Sequence, residues 1–196
     1  MPNWCDNNLC ITGPKDQLQK FKVTANGPVA SYNDFHPIRG EWPINDDIRL
    51  KAMAETMPEP GPVSVFSFHA LFPVPDEVRK MPYDCNRAKE IGERLGKNVT
   101  QGGYGWEVEN WGCKWGASEP SLDDSNSDYL HYAFDTPRGP PLSFIEKISK
   151  DWPELSFEVS YSEPGMAFEG KALYLGGEEE FHDEWQMEFD DEEDDE

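Results

Sequence analysis

The chain of 196 residues carries 39 Asp and Glu against 17 Lys and Arg, which gives a formal net charge of −22. This length suits one domain, and no window holds the roughly 18 uninterrupted apolar residues of a membrane helix. The first residues contain neither a basic segment nor an apolar run, so we expect no signal peptide and a cytoplasmic protein. The surplus of acid also disfavours a generic phosphate-backbone binder, because such proteins cluster Lys and Arg.

The first part of the chain predicts a strand, a helix and a long loop. Leu9 and Ile11 alternate with polar neighbours, which predicts a strand over 4–12 that Gly13 and Pro14 stop. Leu18 and Phe21 lie three residues apart and predict a short amphipathic helix over 14–22. Residues 26–62 hold six prolines, which predicts a long insert with one helical stretch around 46–57.

The middle of the chain predicts another strand and a helix before a tryptophan-rich segment. Residues 63–71 are rich in β-formers and precede Pro73 and Pro75, so we predict a strand there. We expect 76–95 to be helical in part. The sequence Gly-Gly-Tyr-Gly at 102–105 predicts a flexible approach to the segment 106–115.

The second half predicts two strands around a helix and one further strand. A strand is predicted over 129–134, a helix with apolar spacing over 140–148, a strictly alternating strand over 155–161 and another strand within 166–175. The order is β–α–β, insert, β–α–β and an extra strand. This order predicts an α+β fold, a ferredoxin-like split βαβ antiparallel sheet with both helices on one face. We therefore predict one domain over residues 1–177, with the Pro-rich insert at about 26–62.

Residues 178–196 are predicted to be an acidic tail. They hold 13 carboxylates and no Lys or Arg, which leaves a charge of −9 for residues 1–177. The last seven residues are all acidic, and such a run repels itself and favours disorder in isolation. Phe181, Trp185 and Phe189 would align on a helix, whereas Trp185, Met187 and Phe189 alternate as in an added strand. The tail is then either a segment that orders on a partner or a solubilising tail that docks on its own domain.

The sequence contains no signature of catalysis or metal binding. The four cysteines are scattered without a C-x-x-C pair, which favours free thiols over a zinc ribbon or a redox pair. Nucleophile, metalloprotease and phosphate-loop motifs are missing, and the four histidines are dispersed at His36, His69, His131 and His182. We therefore predict no catalytic residue, cofactor or metal, and an interaction protein in preference to an enzyme.

Several short motifs resemble the YubB/Api92-type ferredoxin-like family (the DUF1281 group) of bacteriophages and conjugative plasmids. They are Asn3-Trp4-Cys5 with 9–14, Phe72-Pro73-Val74-Pro75, the segment 109–115, Phe134-Asp135-Thr136-Pro137 and the segment 163–170. The resemblance implies the same fold and a mobile-element protein acting on host machinery in a bacterial cytosol. It implies no particular activity, and the acidic tail and the Pro-rich insert lie outside it.

The segment Asn110–Trp115 has two interpretations. Trp111, Lys114 and Trp115 can form a binding surface, since tryptophans dominate interface hot spots. Alternatively, Trp111 and Trp115 are four residues apart and would pack together into the core if the segment is a helical turn.

The favoured hypothesis is an acidic interaction protein that binds and inhibits a basic, nucleic-acid-handling host protein, such as a CRISPR effector or a restriction system. Its carboxylates would imitate phosphates in a cationic groove. The predicted partner-binding residues are Trp111, Lys114, Trp115, Glu178, Glu179, Glu180, Trp185, Phe189, Asp190 and Asp191.

Two alternatives stay open. One is a small-ligand-binding or enzymatic module with a pocket near Gly102–Trp115. The other is a binder of single-stranded nucleic acid, which requires an exposed basic stripe built from Lys15, Lys20, Lys22, Arg79, Lys80, Arg87 and Lys89.

Overall fold

The computed structural model describes residues 3–33, 47–123 and 128–187. Its helices span Lys15–Ala25 (α1), Asp47–Glu55 (α2), Phe68–Leu71 (α3), Asp76–Arg79 (α4), Cys85–Leu95 (α5), Gly103–Trp111 (α6) and Leu142–Asp151 (α7). Its strands span Trp4–Thr12 (β1), Gly27–Pro28 (β2), Val63–Ser64 (β3), Ser118–Asp123 (β4), Tyr129–Pro137 (β5), Ser156–Glu163 (β6), Phe168–Leu175 (β7) and Glu178–Gln186 (β8).

Within these ranges six strands form one antiparallel sheet in the order β4-β5-β1-β6-β7-β8. The first four, with α1 after β1 and α7 between β5 and β6, make the ferredoxin-like split βαβ arrangement. The predicted α+β fold is therefore confirmed. Strands β7 and β8 extend the sheet beyond β6.

Alternation along the strands assigns one face of the sheet to the core. On β1 the side chains of Cys5, Asn7, Leu9 and Ile11 are buried, whereas Asp6, Asn8 and Thr12 are exposed. The neighbouring strands repeat the pattern in register, so that Leu9 lies opposite Tyr132 and Val159. Helices α1 and α7 cover this face through a core that includes Leu18, Phe21, Phe144, Ile145 and Ile148.

The prediction of a strand over 63–71 was wrong. Strand β3 contains only Val63 and Ser64, and Phe68 begins the short helix α3. Phe66, Ser67 and Phe68 are all buried, which a strand with one wet face does not permit. The Ser67 hydroxyl accepts the Ala70 N–H and so caps the helical turn.

The insertion is therefore longer than the predicted Pro-rich segment 26–62. The second strand of the frame is β4, and everything between α1 and β4 lies outside the split βαβ unit. The insertion is anchored by aromatic rings: Phe66 stacks on Tyr132 with centroids 4.5 Å apart, and Phe68 stacks on Phe144 at 3.8 Å.

The glycine-rich stretch 102–105 is helical where a flexible approach was predicted. Helix α6 begins at Gly103, and a Cβ atom there would lie 2.3 Å from the Tyr32 ring. The glycines therefore permit close packing of the helix start, and flexibility is not their role.

The first part of the predicted acidic tail, 178–196, belongs to the sheet. Residues 178–186 are the strand β8, which pairs with β7 from Glu178 to Gln186 apart from a register shift at Glu180, and Gly176 and Gly177 form the intervening turn at positive φ. The strand alternative for this segment is therefore correct and the helical one is wrong. Phe189, Asp190 and Asp191 lie outside the described residues.

No helix in the described part of the chain is long and apolar enough to cross a membrane.

Replacing Phe66 with alanine tests whether this ring anchors the insertion. Its side chain is 1% exposed, so Phe66→Ala should lower the free energy of unfolding by about 3–5 kcal/mol in urea denaturation. Val23→Ala, at an exposed position of α1, is the control and should change it by less than about 0.5 kcal/mol. Equal effects of the two substitutions would contradict the anchoring role.

Candidate interaction surface

The sequence motifs that carry the family resemblance meet at one end of the sheet. Trp4 lies opposite Pro137, and the backbone N–H of Arg138 donates to the carbonyl oxygen of Asn3 at 2.8 Å. Gly165, in the turn between β6 and β7, packs against the Asn3 side chain. The Trp115 ring of the segment 109–115 lies 6.4 Å from that of Trp4, so four of the five motifs converge although they are far apart in the sequence.

Trp111 belongs to the core, as one of the two interpretations predicted. It is 1% exposed, packs edge-on against Phe68 and Trp106, and donates its indole N–H to the Phe72 carbonyl at 3.1 Å. It therefore joins the Phe-Pro-Val-Pro motif to helix α6. Being buried, Trp111 is unsuited to the predicted partner-binding role.

Trp115 does not share a face with Trp111, because α6 ends at Trp111 and Gly112 adopts a left-handed conformation. Trp115 has a φ of 70° and is half exposed. Its ring lies 6.4 Å from that of Trp4, which is also exposed, and the Lys114 ammonium sits 3.8 Å from its centroid. Lys114 and Trp115 are thus on the surface, as the binding interpretation requires.

A buried carboxylate holds Trp115 in this strained conformation. Glu107 is 2% exposed and accepts hydrogen bonds from the Tyr32 and Tyr83 hydroxyls and from the Trp115 backbone N–H, at 2.7, 2.8 and 2.7 Å. Burial raises the pKa of Glu107, and these hydrogen bonds only partly oppose the shift. Burial and the neighbouring Glu107 also raise the pKa of both tyrosines.

Sequence reasoning missed Glu107, although a signal was present. Gly103, Glu107 and Trp111 are spaced by four residues and share the buried side of α6. A carboxylate on a buried helix face requires donors, and the sequence alone does not show which ones.

The second feature of the site is the sheet face opposite the helices, which we call the open face. Among the described strand residues it carries seven carboxylates and one lysine, Lys171. The acidic residues are Asp6, Asp123, Asp135, Glu158, Glu169, Glu178 and Asp183. Like charges on adjacent strands repel one another, so the carboxylates of this face destabilise the fold and attract cations.

Asp6 and Asp135 form the densest part of the open face. They are directly opposite in the register of β1 and β5. Partial burial, followed by the hydrogen bond and the charge of Asp6 and by Glu119, raises the pKa of Asp135. The exposed Trp4 lies on the same face two residues from Asp6, which places an aromatic ring beside the carboxylate pair.

Strand β8 contributes aromatic side chains to the open face. Phe181 and Trp185 are about half exposed there, on either side of Asp183. Trp185 donates its indole N–H to Glu169 at 2.6 Å and lines a shallow groove of about 180 Å³ with Asp6, Ser162 and Lys171. Glu178, Glu179, Glu180 and Trp185 are exposed, so they meet the predicted requirement for partner contact.

The other face of β8 binds to the edge of the core. The Tyr161 hydroxyl lies 2.9 Å from Nε2 of His182 and donates to Glu184 at 3.1 Å, while Tyr174 donates to Glu179 at 2.9 Å. Burial and the acceptor carboxylates raise the pKa of both tyrosines. These contacts help to hold 178–186 as a strand, because two of its five acidic side chains, Glu179 and Glu184, accept hydrogen bonds from tyrosine hydroxyls.

No catalytic constellation is assembled in the described residues. His69 accepts the Val74 N–H and has a pKa lowered by burial, and His131 lies on the open face opposite Cys10. Burial raises the pKa of Cys5 to about 12 and also raises the pKa of Cys113, so both thiols are held in the protonated form. Within the described ranges no group of three or more His, Cys, Asp or Glu is placed to hold a metal ion. His36 is outside these ranges.

The residues named for the nucleic-acid alternative do not favour it. The basic residues lie on α1, on α5 and in or next to α4, and Lys15, Lys20 and Arg79 are paired with Asp128, Asp16 and Asp76. Six aromatic residues of the core are buried and cannot stack bases, namely Phe66, Phe68, Tyr132, Phe134, Phe157 and Tyr161.

A cleft of about 670 Å³ lies in the insertion, beside α2, α4 and the start of α6. Its apolar wall includes Val78, Met81 and Val99, and Lys80 and Lys97 line it as well. Trp106 connects this cleft to the predicted pocket near Gly102–Trp115.

Comparison with known proteins agrees with the motifs. Residues 111–196 match the family model described as the ferredoxin-like domain in Api92-like protein. Over these residues the chain is similar to that domain. The matched range includes β8 and the acidic residues after it, which the sequence analysis placed outside the resemblance.

A solved structure supports the same fold over the whole chain. The crystal structure of the protein Api92 from Yersinia pseudotuberculosis is similar with a TM-score of 0.66 and 11% identity, over 96% of this chain and 100% of that one. At this identity the likeness concerns the fold. No curated protein matches the sequence.

Removing the Glu107 carboxylate should loosen the segment 109–115. Glu107→Ala leaves three partly buried donors without their acceptor and should lower the free energy of unfolding by about 1–3 kcal/mol, as measured by urea denaturation. Glu109→Ala, on the exposed side of the same helix, should have an effect below about 0.5 kcal/mol. An equally small effect at both positions would contradict the role of Glu107.

Glu107 should also give the folding stability a characteristic pH dependence. Its ordinary pKa is 4.5 and its folded pKa is higher, so above pH 4.5 the unfolded chain loses this proton first. The contribution of Glu107 to stability should therefore fall as pH rises from 4.5 through the folded pKa. Denaturation curves of the wild type and Glu107→Gln across this window test the sign, and a difference that grows in favour of the wild type would refute it.

Proposed function

We propose that this protein is a non-enzymatic interaction protein whose open face binds and blocks the basic, nucleic-acid-binding surface of a partner protein. The observation that carries the proposal is the distribution of charge on the open face, where seven carboxylates accompany one lysine among the described strand residues. The mobile-element setting implied by the family resemblance makes a host defence protein a fitting partner.

The size of the open face suits such an interface. Six strands at about 4.8 Å spacing and about six residues of strand length give roughly 24 by 20 Å. This is more than half of the roughly 800 Å² that each partner contributes to a standard protein interface. The exposed edge of β8 and the aromatic pair Trp4 and Trp115 extend it on two sides.

The chemistry of the face combines attraction with anchoring. A dense array of carboxylates attracts the cationic groove of a partner and raises the association rate, whereas large aromatic side chains lower the dissociation rate. Trp4, Phe181 and Trp185 are all partly exposed and lie among the carboxylates. A nucleic acid would be repelled by the same face, which argues against direct nucleic-acid binding.

Affinity capture from a bacterial lysate tests the proposal with two variants of equal charge. The open-face variant combines Asp6→Asn, Glu158→Gln, Glu169→Gln and Asp183→Asn. The control combines Glu59→Gln, Glu90→Gln, Glu93→Gln and Glu109→Gln, four exposed acids of the insertion. Wild type and control should capture basic nucleic-acid-binding proteins at about 50 mM salt and lose them at about 500 mM.

The open-face variant should recover at least about tenfold less of the same proteins. Each captured protein should also lose its nucleic-acid binding when the wild type is added. Equal capture by the open-face variant and the control, or capture of acidic proteins only, would contradict the proposal.

A second candidate function rests on the cleft in the insertion, whose apolar wall, two lysines and three carboxylates (Glu55, Asp76 and Glu77) suit a small amphipathic ligand. Thr100→Tyr would fill this cleft from its exposed rim. It should leave capture by the open face unchanged, whereas a ligand-dependent function would be lost.

A further inference from the structure

Strand β8 lies at the edge of the sheet. In residues 3–33, 47–123 and 128–187 no strand pairs with its outer side. The opposite edge, β4, is shorter and is interrupted by Pro120 and by a register shift before Ser121. Of the two edges, β8 is the one that presents a long row of backbone groups for pairing.

The pairing of β8 with β7 identifies the free backbone groups. Met187 donates its N–H to the carbonyl oxygen of Ala167 at 2.8 Å, one step beyond the pair Phe168 and Gln186. In an antiparallel ladder alternate residues direct both backbone groups to the same neighbour. The backbone of Asp183 and Trp185 therefore faces β7, whereas that of His182, Glu184 and Gln186 points outward.

The side chains of β8 restrict what can pair there. The strand carries five carboxylates, at Glu178, Glu179, Glu180, Asp183 and Glu184, and no Lys or Arg. A second β8 or the acidic run 190–196 would bring like charges together, which disfavours both as occupants. A cationic strand would pair opposite charges along the same row.

We propose that β8 is a strand-addition site that takes up an extended, lysine- or arginine-rich segment of a partner protein. The proposal rests on the proposed function and specifies how its partner docks. Outward groups of His182, Glu184 and Gln186 supply three donors and three acceptors. On the open-face side the partner strand would place lysines beside Asp183 and beside the Phe181 and Trp185 rings, which also attract a cation.

Two synthetic peptides test this with the full chain. The first is nine residues long and alternates lysine with valine. The second has the same sequence, but the backbone amides of its central residues are N-methylated, so that neither edge of the peptide can donate hydrogen bonds there. The first should bind at least about tenfold more tightly at low salt, because only it can pair with β8. It should also slow hydrogen exchange of the His182, Glu184 and Gln186 amides. Equal affinity of the two peptides, or unchanged exchange at these amides, would overturn the proposal.

A pair of variants provides an independent check. Glu184→Pro and Glu184→Ala both remove the same carboxylate, but only proline removes the outward N–H. Peptide affinity should fall at least about tenfold further in Glu184→Pro than in Glu184→Ala. An equal loss in the two variants would overturn strand addition, and the peptide comparison decides the question if Glu184→Pro does not fold.

The outcomes separate this proposal from the function on which it rests. If both peptides bind equally and the open-face variant binds neither, the acidic face is a cation-binding surface and strand addition is refuted. If neither peptide binds and the lysate capture also fails, the proposed function itself is refuted.

Discussion

The fold depends on burying aromatic side chains on one side of a single antiparallel sheet. Phe21, Phe66 and Phe157 contact one another or Tyr132 there, and each fully buried side chain of this kind contributes roughly 1.5–3 kcal/mol. Since α1, α7 and the insertion all occupy that side, the other side of the sheet stays open to water. The strand side chains that alternate with the core residues therefore face water, and seven of them are carboxylates.

The insertion is coupled to that surface through one polar contact. Glu107 reaches from α6 to Tyr32, Tyr83 and the Trp115 backbone, and Trp115 in turn packs against Trp4 at the start of the central strand. An unpaired carboxylate in this place would be costly, so the insertion and the loop are stable only in this arrangement. The exposed tryptophan pair is thus held rigidly, which lowers the entropy that an interface would lose on binding.

The alternation of apolar and polar side chains made the strands of the sheet predictable, whereas a segment whose consecutive side chains are all buried was predicted wrongly. Leu9 and Ile11, or Phe157 and Val159, mark a strand because water occupies the opposite face. Phe66, Ser67 and Phe68 read as β-formers, yet their consecutive burial arises from the sheet and α7, which no local pattern encodes. The acids of the open face were visible at alternate strand positions but were overlooked beside the denser run at 178–196. The role of Glu107 depends on tyrosines 24 and 75 residues away and was beyond reach.

The position of β1 has a consequence for how the chain is made. This strand is synthesised before the other strands of the sheet, but it sits between β5 and β6, and its contact from Asn7 to Phe134 spans 127 residues. The centre of the sheet therefore cannot close until β5 and β6 have been synthesised, which implies slow folding of high contact order. Until then the apolar side chains of β1 would be exposed to water. Helix α1, which is synthesised directly after β1, can pack against them during this time.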